Sequence, residues 1–121
     1  MVKSIVKQKS YDFALKIIKS SAWLKKNNHF EISSQILRSG TSIGANIEEA
    51  LAGQSQKDFS AKMSIASKEA RETNYWLRLL TDSKIVDKSE GHILIKESEE
   101  LIKILTSIVK TTKNSKLKTQ N

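Results

Sequence analysis

Apolar residues recur every three or four positions through most of this chain, in four blocks separated by short polar links. That period marks helices with one buried face. The first block runs from about Ser4 to Lys26, where Phe13, Ala14, Ile17, Ile18 and Leu24 form a stripe. The second starts after Asn28, which with Glu31 three places on makes a capping-box pattern. It runs to about Gly53, a residue suited to a left-handed cap. The third opens at Ser55, again with an acid, Asp58, three places on, and ends near Asp82. Within it Phe59, Met63, Ala66, Ala70, Thr73, Leu77 and Leu80 alternate steps of four and three, a heptad-like seam. The link DSKIVDKS follows, and Asp87 with Glu90 repeats the cap pattern. The fourth block has a seam of Leu94, Ser98, Leu101, Leu105 and Ile108, with Ile95, Ile102 and Val109 beside it. No alternating apolar run argues for a strand.

Four helices of about 23–27 residues joined by short links have antiparallel neighbours. The predicted fold is therefore all-α, an antiparallel up-down-up-down four-helix bundle, with helices ~35–40 Å long. The bundle is expected over residues 1–112. The remainder, TKNSKLKTQN after about Thr112, is polar and lysine-rich and predicts a basic, disordered tail over 113–121.

The run RSGTSIGANIEEA, Arg38 to Ala50, departs from a simple amphipathic helix. It holds two of the chain's four glycines. A phosphate loop would need GxxxxGK[ST] after a strand, and neither is present. On a helix, Ile36, Gly40, Ile43, Ile47 and Ala50 share a stripe, with Leu37, Gly44 and Leu51 alongside. Glycine inside a helix costs ~1 kcal/mol relative to alanine, so a compensating gain is expected. Close approach of a neighbouring helix or bulky side chain supplies one, with Trp23, Trp76 and Tyr75 as candidates to fill the space. The competing explanation is a tolerated bend. A polar stripe runs beside the apolar one: Gln35, Ser39, Ser42, Asn46 and Glu49. The third helix offers Lys68, Glu69, Arg71, Glu72 and Asn74 as counterparts, and a network of Arg38, Asn46, Glu49 and Glu72 is predicted. Such a seam can serve an inter-subunit or ligand contact, a specificity device inside the bundle, or a plain solvated face.

Composition narrows the function. A chain of 121 residues suits one domain. It has no cysteine, which removes thiol catalysis, thiolate metal sites and disulfides. No apolar run reaches the ~20 residues of a membrane span, and the N-terminus lacks a signal-peptide pattern, so a cytoplasmic protein is expected. The net charge is +8, concentrated toward the two ends. Lys3, Lys7, Lys9, Lys16, Lys19, Lys25 and Lys26 at one end, and Lys110, Lys113, Lys116 and Lys118 at the other, are candidate contacts to a nucleic acid. A basic surface can hold a polyanion by releasing its counterions; it can also serve solubility alone.

Catalysis finds little support. A bundle holding two metals uses Glu-x-x-His on two helices. The two histidines, His29 and His92, lack that partner, and the pairs Glu69/Glu72 and Glu97/Glu100 are common on solvated faces. No nucleophile elbow is present. No catalytic residue, metal site or cofactor is predicted.

The run from Ser33 to Leu80, SSQILRSGTSIGANIEEALAGQSQKDFSAKMSIASKEARETNYWLRLL, with helices on either side, resembles a bacterial four-helix-bundle family. This is the family of 23S rRNA intervening-sequence proteins, whose fold is shared by the accessory variability determinant of diversity-generating retroelements. The resemblance covers about Tyr11 to Lys110. Its pattern falls on Gln35, Arg38, Ser39, Gly40, Ser42, Ile43, Asn46, Ile47 and Glu49, then on Phe59, Ala66 and Glu72. Many relatives carry a double alanine where Ser39-Gly40 stand and Ala-Glu-Gly where Glu48-Glu49-Ala50 stand, and Glu69 replaces a residue that is often small. The resemblance implies a homo-oligomer, pentameric in several relatives, without enzyme activity. It also implies RNA, or a nucleic-acid enzyme such as a reverse transcriptase, as a partner. The alternative is a structural or protein-interaction scaffold with no nucleic-acid partner.

Overall fold

The computed structural model describes the backbone of residues 1–120 and the side chains of residues 1–114. Four helices, α1 (Val2–Lys26), α2 (Phe30–Ala52), α3 (Gln56–Asp82) and α4 (Lys88–Gln120), form the bundle the periodicity predicts. Cross-helix contacts fix the directions. Ser21 meets Ser33 and Lys9 meets Glu100, while Ser39 meets Thr73 and Asn74 meets Ser98, so each helix runs against its neighbours. Consecutive helices pack closely, and of the four adjacent pairs α1 and α4 are the most loosely packed. Among the described residues no helix is long and apolar enough to cross a membrane.

The core is assembled from the anticipated stripes. Phe13, Ile17, Leu24, Ile36, Ile43, Ile47, Met63, Leu77, Leu80, Leu101 and Leu105 are fully buried. Two expected core residues are instead exposed, Ile18 at 48% and Leu37 at 38%. Both sit one position beyond a buried residue, Ile17 and Ile36, and a 100° step turns them outward.

The helix ends divide between expectation and surprise. Ser55 caps α3 as its sequence suggests, its hydroxyl accepting from the amide of Asp58 at 3.0 Å. Asn28 does not cap α2. It takes a left-handed φ of 68° and closes α1, with His29 N donating to Leu24 O (2.8 Å) and Asn28 N to Lys25 O (3.1 Å). This is a Schellman closure with asparagine in the glycine position. Gly53 is extended, at φ −66° and ψ 152°, and not left-handed. A β-carbon there would stand 2.9 Å from Asp58 Oδ2 and 3.2 Å from Ala50 O, so crowding and not φ favours glycine. At the other end of α3, Lys84 takes the left-handed position (φ 66°), and Ile85 N and Val86 N both donate to Leu80 O. Asp87 opens α4. The hydroxyl and the amide of Ser89 donate to its carboxylate and hold it below the usual carboxylate range.

The helix does not stop near Thr112. α4 is continuous to Gln120, with no glycine or proline to end it after Gly91. The side chains of Lys116 and Lys118 lie outside the described residues.

Candidate functional site

The glycine-rich stretch of α2 lies inside the bundle, facing α1. Gly40 and Gly44 are both buried. A β-carbon on Gly40 would stand 2.7 Å and 2.9 Å from the two γ-carbons of Ile17, and one on Gly44 would stand 3.3 Å from the hydroxyl of Ser10. Farther along, the Ser33 hydroxyl donates to Ser21 O (2.7 Å) and lies 2.8 Å from the Ser21 hydroxyl. Small residues thus let two helices approach, as anticipated, but the occupants are Ile17 and Ser10 and not the aromatics. Trp23 and Tyr75 are about half exposed, and Trp76 packs on the core edge with its indole N–H on Glu72 (2.9 Å). The reason is register: the α1–α2 turn sets Ile17 opposite Gly40, which no local pattern encodes.

The polar stripe of α2, with Arg38 beside it, separates into four pieces. Arg38 is a clasp to α3, donating to Glu69 (3.2 Å), to Glu72, and to Gln35 of its own helix (3.4 Å). Ser39 is fully buried and accepts from the Thr73 hydroxyl at 2.9 Å. Ser42 and Asn46 bond back to carbonyls of their own helix, Arg38 O and Ser42 O. Glu49 pairs with Lys62 at 3.1 Å. The predicted four-membered network therefore holds only for Arg38 and Glu72. Asn46 and Glu49 lie ~12 and ~16 Å farther along the axis, beyond the reach of one guanidinium. Trp76, one turn from Glu72, is the member that sequence reasoning missed. With two carboxylates on Arg38, the cluster is a helix–helix clasp, not an anion receptor. Among the described residues no group of three or more His, Cys, Asp or Glu could hold a metal ion.

The lysines predicted on α1 do not share one face. Lys19 and Lys26 lie about 100–120° round the helix from Lys7 and Lys25. Lys9 and Lys16 are tied to α4 through Glu100 (3.4 Å) and Glu97 (2.6 Å), along a groove of about 470 Å³ floored by Phe13 and Leu101. Lys3 sits 4.7 Å above the Phe59 ring. Lys110 and Lys113 are exposed on α4. Two further lysines, Lys96 and Lys103, share the face of Lys110 at seven-residue intervals. That spacing was a readable signal.

A family model for the 23S rRNA-intervening sequence protein matches residues 2–107. The chain belongs to the 23S rRNA-intervening sequence protein family. A solved structure from Bacteroides thetaiotaomicron, described as a protein with unknown function from the S23 ribosomal protein family, is similar at 45% identity. The match covers 91% of this chain and 99% of that one, with a TM-score of 0.86. No curated protein matches. Neither match names an enzyme. In this member of the intervening-sequence family, the motif positions thus do different jobs. Gln35, Arg38 and Glu72 clasp α2 to α3, Ser39 and Gly40 fill tight core positions, and Asn46 and Glu49 lie toward the other end of α2.

Proposed function

We propose that this protein is a non-enzymatic helical-bundle module that assembles into a cytoplasmic homo-oligomer and binds RNA through its basic surface. The observation that carries this reading is an excess of uncompensated cations. The chain has 21 Lys and Arg against 13 Asp and Glu. Among the described residues, only Lys9, Lys16, Arg38 and Lys62 have a carboxylate within ion-pair distance. A folded bundle displaying such an excess gains affinity for phosphates by counterion release. The family's name, which refers to an insertion in 23S rRNA, supports RNA as the polyanion. Aromatic residues are only 6% of the chain, which favours backbone contacts over sequence reading. In a ring each contact would be repeated around the axis. Filter binding of RNA against salt tests this. A steep fall in affinity with salt is expected, and no binding at about 50 mM salt would overturn the reading.

One observation favours a second reading, a scaffold with no nucleic-acid partner. Tyr11, Leu15 and Ile18 of α1, at helical spacing, are each about half exposed, and Phe30 and Leu37 of α2 are exposed as well. An apolar face of this kind is suited to assembly. Light scattering decides the assembly state, with a pentamer expected at five times the 13.6 kDa chain mass. A stable oligomer that ignores RNA would favour the scaffold, and a monomer would remove both forms of the assembly.

A further inference from the structure

We propose that the outer face of the α3–α4 pair is the surface that grips the phosphate backbone of the nucleic acid. The proposal rests on the RNA-binding reading above and places it away from the lysine-rich α1. Lys96, Lys103 and Lys110 are exposed and seven residues apart on α4. On a helix, positions seven apart drift by only ~20°, so the three form one stripe. At 1.5 Å per residue the stripe spans ~21 Å, about the rise of six nucleotides at ~3.4 Å each.

Two acidic residues of α4 are engaged by lysines of α1. Glu97 turns toward α1 and engages Lys16, and Glu100, within a helical turn of both Lys96 and Lys103, engages Lys9 of α1. Glu99, between Lys96 and Lys103, has no ion-pair partner among the described residues. On the side next to α3, two arginines add charge without adding a counter-charge. Arg71 donates to the Thr106 hydroxyl at 2.9 Å, between the levels of Lys103 and Lys110. Arg78 donates to Asn74, whose amide in turn donates to Ser98 of α4. Both guanidiniums meet neutral acceptors, so their charge is uncompensated, and each has further N–H donors for a phosphate oxygen. Tyr75 is exposed beside Arg78, its ring 5.8 Å from the guanidinium carbon. An exposed ring next to cations is a platform for an unpaired base. On α1, by contrast, two lysines are paired with carboxylates and the rest fall into two groups on different sides of the helix.

The experiment compares two full-length variants with equal loss of charge, Lys96→Gln/Lys103→Gln/Lys110→Gln and Lys7→Gln/Lys19→Gln/Lys25→Gln. Each is titrated with a mixed-sequence single-stranded RNA of about 20 nucleotides at roughly 50 to 200 mM salt, after circular dichroism and native mass match wild type. In the α4 variant the slope of log affinity against log salt should fall by about 2, or about 16-fold less loss over a fourfold rise in salt. The α1 variant should keep the wild-type slope. Tyr75→Ala should weaken single-stranded RNA about fivefold or more and leave duplex RNA unchanged. Equal effects of the two triple variants, or a larger effect on α1, would overturn the placement while leaving RNA binding intact. Polyglutamate competing as well as RNA at equal charge would assign the face to an acidic protein and overturn it too. A wild-type protein that fails to bind RNA at low salt would end both proposals.

Discussion

Ile17 of α1 sits so close to Gly40 of α2 that a β-carbon on the glycine would stand 2.7 Å from its Cγ2 and 3.2 Å from its Cβ. The obstructing atoms lie at the branched base of the side chain, next to the backbone, and cannot swing aside. Gly40→Ala therefore trades a propensity gain of ~1 kcal/mol against overpacking of ~1–3 kcal/mol. A net destabilisation is expected in urea unfolding, larger for Gly40→Leu. Ile17→Ala should remove the clash, so the double variant Gly40→Ala/Ile17→Ala should be less destabilised than the sum of the singles. Additive losses would disprove direct crowding.

Gly44 should behave differently, although it lies on the same seam. Its nearest obstacle is the Ser10 hydroxyl at 3.3 Å, with Ser10 backbone at 3.6 Å. A displacement of a few tenths of an ångström accommodates a methyl group, and the propensity gain of ~1 kcal/mol then offsets the strain. Gly44→Ala should stay within ~1 kcal/mol of wild type in the same measurement.

Lys84 occupies a left-handed backbone position with φ 66°, where a β-carbon is unfavourable. Glycine adopts that conformation freely, though it is also freer when unfolded. Lys84→Gly should stabilise the protein by ~0.5–1 kcal/mol, read as a rise in the urea midpoint at constant slope. Lys84→Ala retains the β-carbon and should give no such gain.

The start of α4 should carry a pH signature. Asp87 accepts from the Ser89 hydroxyl and amide, which lowers its affinity for a proton in the folded state. A carboxyl group depressed by folding stabilises the native state at pH above its unfolded value. That contribution disappears as pH falls through the folded value. Asp87→Ala should therefore melt below wild type at pH 7, and the gap should close at pH well below the usual carboxylate range. Asp87→Asn, which still caps but does not titrate, should flatten the dependence.

The relation between sequence and structure differs from feature to feature. The α3 cap was legible because Ser55 and Asp58 interact three residues apart, within one turn. Asn28 was misread because asparagine serves equally at the start of one helix and the end of another, and the geometry of the turn chose the second use. The polar stripe of α2 was correctly grouped by face, but distance along the axis limited the Arg38 clasp to residues within one turn of each other across the interface.

The sequence by itself determined the four helices and most of their buried stripes, because periodicity is a local property, and it offered close approach as one of two accounts of Gly40 and Gly44. Only the tertiary structure decided that Ile17 and Ser10 make that approach, that Lys9 and Lys16 pair with carboxylates of α4, and that Arg71 reaches Thr106 of α4. Those outcomes depend on the register and rotation of whole helices, which are set by the combined packing of the core and carried by no single stretch of chain.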